Sequence, residues 1–189
     1  MRKKERKFKK IWNLASSYLK GVKKKDYVVH TKGVIRAMEL LLEQETGDRD
    51  VLIQAAMLHD VGWSRVPLNL QISDVKAEKL EASKLHLEYA PPIIEGILTN
   101  LGYNKSHIER VIDVVLAHKF KKPTQLDEML LIDADNLSDA FREQFYSDVE
   151  AYKTTPGDHY NFRKRNQFYT KTARIIFDEE LEKRRKEFS

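Results

Sequence analysis

Residues 51–62 read VLIQAAMLHDVG, an apolar run with helical character that ends in the polar pair His59-Asp60 and then Gly62. Ala55, Ala56 and Leu58 allow close backbone packing, so this stretch belongs in the interior and carries an imidazole and a carboxylate with it. A buried polar pair needs partners. The two groups can satisfy each other or a helix end. A divalent cation, which takes neutral imidazole nitrogen and carboxylate oxygen together, would satisfy both at once. The rest of the chain decides between these.

Apolar residues recur mostly at spacings of three and four, and Val, Ile and Thr never alternate with polar residues for long enough to argue for a sheet. With only 7 Gly and 5 Pro in 189 residues, the expectation is an all-α, single-domain helical bundle. A hydrophobic share of 41% beside a charged share of 33% suits one core under a heavily solvated surface. Cys is absent, which removes disulfides and thiolate chemistry and favours a reducing, cytoplasmic location. No apolar run approaches the ~20 residues of a membrane span, and the basic start is not followed by an uninterrupted apolar segment.

Residues 1–25 hold eleven Lys or Arg against the single Glu5, while the remaining residues sum to −5. Phe8, Ile11, Trp12, Ala15, Tyr18, Leu19 and Val22 fall on one face at helical spacing. This segment is therefore expected to be an amphipathic basic helix, either docked on the core with its lysines outward or lying on nucleic acid or anionic lipid. Residues 26–140 form the expected core, and 141–189 a helical, aromatic layer on the same domain.

Within the core, His30 stands in the first turn of a helix continued by Val34, Ala37, Met38 and Leu41, with Gly47 as a stop. Asp48 or Asp50 can cap the next helix, which ends in His59-Asp60. Antiparallel packing of the pair brings His30 to His59-Asp60. Residues 63–80 contain Pro and turn formers and are placed to form a lid or substrate wall. His86 precedes a helix through Ile93, Ile94, Ile97 and Leu98, and Pro91-Pro92 suit an interruption or a first turn. The next helix starts with Ser106 as cap, leaves His107 exposed, and delivers His118 and then Lys119 at its end. In MLLIDADNL, Asp133 and Asp135 are costly to bury without a cation or several donors.

His30, then His59-Asp60 in AAMLHDVG, then Asp135 in DADNL, on successive helices, resemble the HD-domain superfamily of metal-dependent phosphohydrolases, in particular its small standalone predicted hydrolases. The resemblance covers roughly residues 26–140. It implies a divalent metal held by His30, His59, Asp60 and Asp135, the last preferred to Asp133 because the family's final ligand sits in an Ala-Asp-x-Leu context. The mixed N/O donor set favours Mn, Fe, Co, Ni or Zn over Mg. The implied reaction is attack of metal-bound hydroxide on a phosphomonoester or phosphodiester, with Asp60 orienting the water. His86 and His118 either complete a second metal site with Asp60 bridging, or contact phosphate and protonate the leaving group together with Lys119 at a one-metal site. The second is slightly preferred. The GYP motif of the cyclic-dinucleotide phosphodiesterase branch is missing, so that substrate is not transferred.

The C-terminal aromatics, among them Phe141, Phe145, Tyr152, Tyr160, Phe162 and Tyr169, are expected to serve as core more than as a base-stacking platform. If they line the site they favour a nucleotide-like substrate. The rival to an enzyme is an HD-like module that binds nucleic acid or protein around a structural metal, which predicts salt-dependent binding without turnover. Oxygenase chemistry at a di-iron site ranks lower, since nothing in the sequence calls for oxygen.

Overall fold

A computed structural model describes residues 3–23 and 25–188, so Arg2 and Lys24 of the expected N-terminal segment lie outside the described residues. The helices are α1 (Lys3–Leu19), α2 (Tyr27–Leu41), α3 (Arg49–Leu58), α4 (Leu68–Gln71), α5 (Lys76–Asn100), α6 (Lys105–Ala117), α7 (Leu126–Ser138), α8 (Arg142–Ala151), α9 (Pro156–Arg163) and α10 (Lys171–Phe188). A short 3-10 helix, Val61–Arg65, follows α3. No strand occurs among the described residues, and no described helix is long and apolar enough to cross a membrane.

The helices start where side chains satisfy their free amides. Asp26 accepts from the Val28 and Val29 amides, and Asp48 accepts from those of Asp50 and Val51. Asn104, rather than Ser106, caps α6: it accepts from the His107 amide while the Ser106 hydroxyl donates to it. The helix starts one residue before Ser106, where the stronger Asn acceptor is in register. A reciprocal Gln125–Glu128 box starts α7.

Packing follows the apolar faces. α2 lies against α3 and α7, α3 against α6, and α10 against α7 and α9. Val34, Met38 and Leu41 of α2 meet Leu52 and Leu58 of α3 and Leu130, Leu131 and Leu137 of α7 in one buried core. α1 docks Ile11 and Ala15 into that core, and its end, Leu19, joins Tyr27, Trp63, Val66 and Ala82 in a smaller cluster. At about 2 kcal/mol for each large apolar side chain buried, this stripe helps to hold α1 on the core.

α5 departs from expectation. It runs unbroken through Pro91 and Pro92, and His86 lies inside it. A proline in a helix interior costs about 3 kcal/mol through the lost amide and the ring's clash with the preceding turn. Glu88 and Pro92 are exposed, so the freed carbonyl there faces water, while Ile93, Ile94, Ile97 and Leu98 on the other side are buried. The packing of that side keeps the helix continuous.

The 3-10 helix lies directly on α5, and Gly62 makes this possible. A Cβ at Gly62 would sit 1.9 Å from the His86 carbonyl oxygen and 2.9 Å from the Ala90 amide nitrogen. Both obstacles are backbone, so neither can swing away. Gly62→Ala is expected to destabilise the fold by about 3 kcal/mol, lowering Tm by roughly 10 °C. A thermal melt within about 2 °C of wild type would show that the contact gives way at little cost.

Candidate metal centre

His30 lies in the first turn of α2, where the Asp26 cap fixes the backbone. His59 closes α3 and Asp60 precedes the 3-10 helix, so the chain changes direction at these two residues. The packing of α2 on α7 adds Asp135. His30 Nε2 stands 3.3 Å from His59 Nε2, 3.3 Å from Asp60 Oδ2 and 3.1 Å from Asp135 Oδ1, and His59 Nε2 is 3.1 Å from Asp60 Oδ2. The structure therefore brings His30, His59, Asp60 and Asp135 together. Lys119 Nζ donates to the second oxygen of Asp135 at 2.7 Å.

His86 and His118 face the same carboxylate from its other side. Their Nε2 atoms are 3.7 and 3.9 Å from Asp60 Oδ1 and 3.5 Å from each other. Asp60 thus turns one oxygen to each of two clusters, His30–His59–Asp60 and Asp60–His86–His118, all of them buried. His86 and His118 are both interior side chains, 0% and 4% exposed.

The tautomers follow from the surroundings. His59 Nδ1 donates to the Ala56 carbonyl at 2.9 Å, and His118 Nδ1 donates to that of Val115. A carbonyl only accepts, so in the neutral ring the lone pair is on Nε2, on the side of Asp60. The Ser138 hydroxyl donates to the Asp135 carbonyl at 2.7 Å, which leaves its oxygen to accept from His30 Nδ1 at 3.5 Å. Ligand-type nitrogen and oxygen atoms therefore converge in a nearly dry space.

Such convergence is repulsive unless positive charge sits among the donors. Burial alone would raise the Asp60 carboxyl, but His59 and His30 more than offset it and hold it well below the usual carboxylate range. Asp135 behaves alike, with Lys119 and His30 overcoming burial. At His30, burial and Lys25 push the imidazole down, yet Asp135 and Asp60 win and it rises above its ordinary value. Burial drives His86 down to about 4, and burial with Lys119 and His59 takes His118 well below its usual value. Those two are neutral ligand-type imidazoles. The donor set, N and O mixed and ordered from outside, fits divalent cations.

Sequence reasoning missed the residues that brace these ligands. Trp63 Nε1 donates to Asp60 Oδ1 at 3.2 Å, and its ring stacks on His86 with centroids 4.7 Å apart. Trp63 stands three residues after Asp60, on the next turn, which is the signal that could have found it. Tyr27 sets its ring edge against His30. Asp133 plays a different part. It accepts from the Tyr169 and Thr170 amides and the Thr170 hydroxyl, tying the start of α10 to α7. His107 is half-buried rather than exposed, hydrogen-bonded to Gln54.

The profile of the HD domain family matches residues 27–140. A similar solved structure is the crystal structure of a predicted HD superfamily hydrolase from an uncultured Thermotogales bacterium, with a TM-score of 0.58, 23% identity, and coverage of 92% of this chain and 84% of that one. No curated protein matches the chain.

One further buried charge group stands behind α7. Arg163 donates to Asp139 Oδ2 at 2.6 Å, to Asp148, and to His159 Nε2 at 3.2 Å, joining α7, α8 and α9. Burial and the Arg163 charge lower His159 to about 4, so it accepts as a neutral ring. Arg163→Met would leave two buried carboxylates without their cation. Chemical denaturation at pH 7 is expected to show a loss of about 3–5 kcal/mol, whereas a loss under about 1 kcal/mol would mean that water or another cation replaces the guanidinium.

Proposed function

The chain belongs to the HD-domain family, and from that premise we propose that it is a divalent-metal-dependent phosphohydrolase that holds two ions and cleaves a phosphomonoester or phosphodiester of nucleotide-like type. The observation that carries this reading is the Asp60 carboxylate, with Oδ2 turned to His30 and His59 and Oδ1 to His86 and His118. His30, His59, Asp60 and Asp135 would hold one ion, and Asp60, His86 and His118 the other. Ions bound there supply Lewis acidity at phosphorus and acidify a water molecule.

The protein's own groups do the rest. Asp60 is fixed from outside by the Trp63 indole, so its two oxygens keep their directions. His86 and His118 are neutral, which suits them to binding a cation and not to protonating a leaving group. Lys119 is half-buried, and burial would lower its ammonium, but Asp135 and Asp60 hold it above its ordinary value. It offers a fixed positive charge beside Asp135 to a phosphoryl oxygen. Buried walls around the clusters keep bulk water from competing with these contacts. The donor set favours Mn, Fe, Co, Ni or Zn over Mg. The similar crystal structure carries the description of a predicted hydrolase, which agrees with the reading.

The test is hydrolysis of a phosphomonoester, a phosphodiester and a nucleotide panel with Mn, Co, Ni, Zn or Mg added. Turnover is expected with the first four, to vanish in Asp60→Ala, and to fall by about 10²-fold in kcat with Lys119→Ala, the size of one lost charged contact in the transition state. Turnover retained by Asp60→Ala would contradict the reading. Salt-sensitive nucleic-acid binding with no turnover would favour the binding-module alternative.

A further inference from the structure

A cleft of about 930 Å³ opens between the segment Gln71–Asp74 with Lys79 and the segment Ala151–Thr154 with Phe162 and Arg163. Its volume is at the upper end of what small-molecule sites enclose. One wall is hydrogen-bonded to the residue that holds Asp60, and the other to the end of the helix that carries Asp135. On one side, the Gln71 amide donates to the carbonyls of Trp63 and Val66, and Trp63 holds Asp60. On the other, Arg163 grips Asp139 at the end of α7, the helix that carries Asp135.

The lining has a definite chemistry. Arg163 is occupied by Asp139 and Asp148, and Lys79 by Asp74 at 2.9 Å. Lys23 and Lys153 have no carboxylate partner among the described residues, and both line the cleft. Lys153 also has a left-handed backbone, with φ of 50°. A non-glycine residue is strained in that conformation, and at such a helix end glycine is the relaxed choice. An ammonium held there at a conformational cost points to use of its charge. Tyr152 and Phe162, 49% and 57% exposed, are aromatic residues that line the cleft, and the Arg163 guanidinium lies over the Phe162 ring at 5.4 Å. Aromatic rings stack on such surfaces, and anions pair with free ammonium groups.

We propose that this cleft seats the leaving-group half of the substrate, and that this half is a planar ring system bearing its own anionic group, as in a nucleoside monophosphate. The ring lies on Phe162 and Tyr152, and the anion meets Lys23 and Lys153. The assignment to a leaving group rests on the phosphohydrolase reading; binding of a ring with an anion does not. Specificity is thus set by residues from the loop before α2 and from the junctions around α8 and α9, while the metal clusters serve the scissile phosphate.

The test is calorimetric titration of the full chain in EDTA, where no turnover occurs, with AMP, adenosine and inorganic phosphate as probes. AMP is expected to bind at least about tenfold more tightly than either fragment, since ring and anion are held by one molecule. Lys23→Ala and Lys153→Gly should each weaken AMP by about twofold to fivefold, the size of one exposed charged contact, and Phe162→Ala should weaken both AMP and adenosine. Lys153→Gly has a second readout that a purely structural lysine would not give: relief of the left-handed backbone should raise Tm by roughly 2–4 °C while affinity falls. AMP binding no tighter than its fragments, or affinities unmoved by these substitutions, would overturn the proposal. The metal-dependent hydrolysis panel is a separate axis. AMP seated in the cleft with no turnover of any ester would remove the hydrolase reading and keep the cleft, and turnover with no AMP binding would do the reverse.

Discussion

The structure depends on one buried carboxylate. Asp60 lies where α3 has ended and the 3-10 helix begins, and its two oxygens face imidazoles from α2, α5 and the ends of α3 and α6. A carboxylate in that position, 4% exposed, would be expensive if it were alone. Here it is the point on which four chain segments converge, and positive charge among them is what makes the arrangement stable. The surrounding fold holds those donors still: Ala56 and Val115 carbonyls set two imidazole tautomers, Trp63 fixes the carboxylate, and Gly62 lets the 3-10 helix reach α5.

Much of this was legible in the sequence, for physical reasons that differ by residue. The helical period of α2, α3 and α7 survives into the structure because their apolar faces are the core, and burial enforces the period. His30, His59-Asp60 and Asp135 could be brought together because two short-linked helices pack antiparallel and a third lies across them. The division of labour at Asp60 was not legible, since sequence order says that His86 and His118 come next but not which oxygen they face. Nor was the path of α5: local rules stop a helix at Pro91-Pro92, and only the packing of Ile93, Ile94, Ile97 and Leu98 shows why this one continues. The stacking of Trp63 on His86 and the close approach at Gly62 were not legible because both are contacts with another helix.

The C-terminal layer ties the centre to the cleft. Asp133 and Asp139, flanking Asp135 along α7 and its C-cap, reach outward to Thr170 and Arg163, so this segment holds a metal-type ligand on one face and anchors α9 and α10 on another. Phe141, Phe145 and Phe177 are core, in keeping with the expectation for aromatics of this kind, whereas Tyr152 and Phe162 remain open to solvent. One aromatic-rich segment therefore serves both stability and recognition. The basic N-terminal helix contributes its apolar stripe to the core, and its end leads into Lys23 at the cleft.

The most direct measurement of the central claim is metal stoichiometry: the metal-free chain is titrated with Mn or Co and its bound content is determined, beside a variant that carries both His86→Ala and His118→Ala. The account predicts two ions per chain in the wild type and one in the double variant, with the remaining ion lost when His59→Ala is added. A wild-type chain that binds a single ion, or a double variant that still binds two, would contradict the reading of Asp60 as a shared ligand.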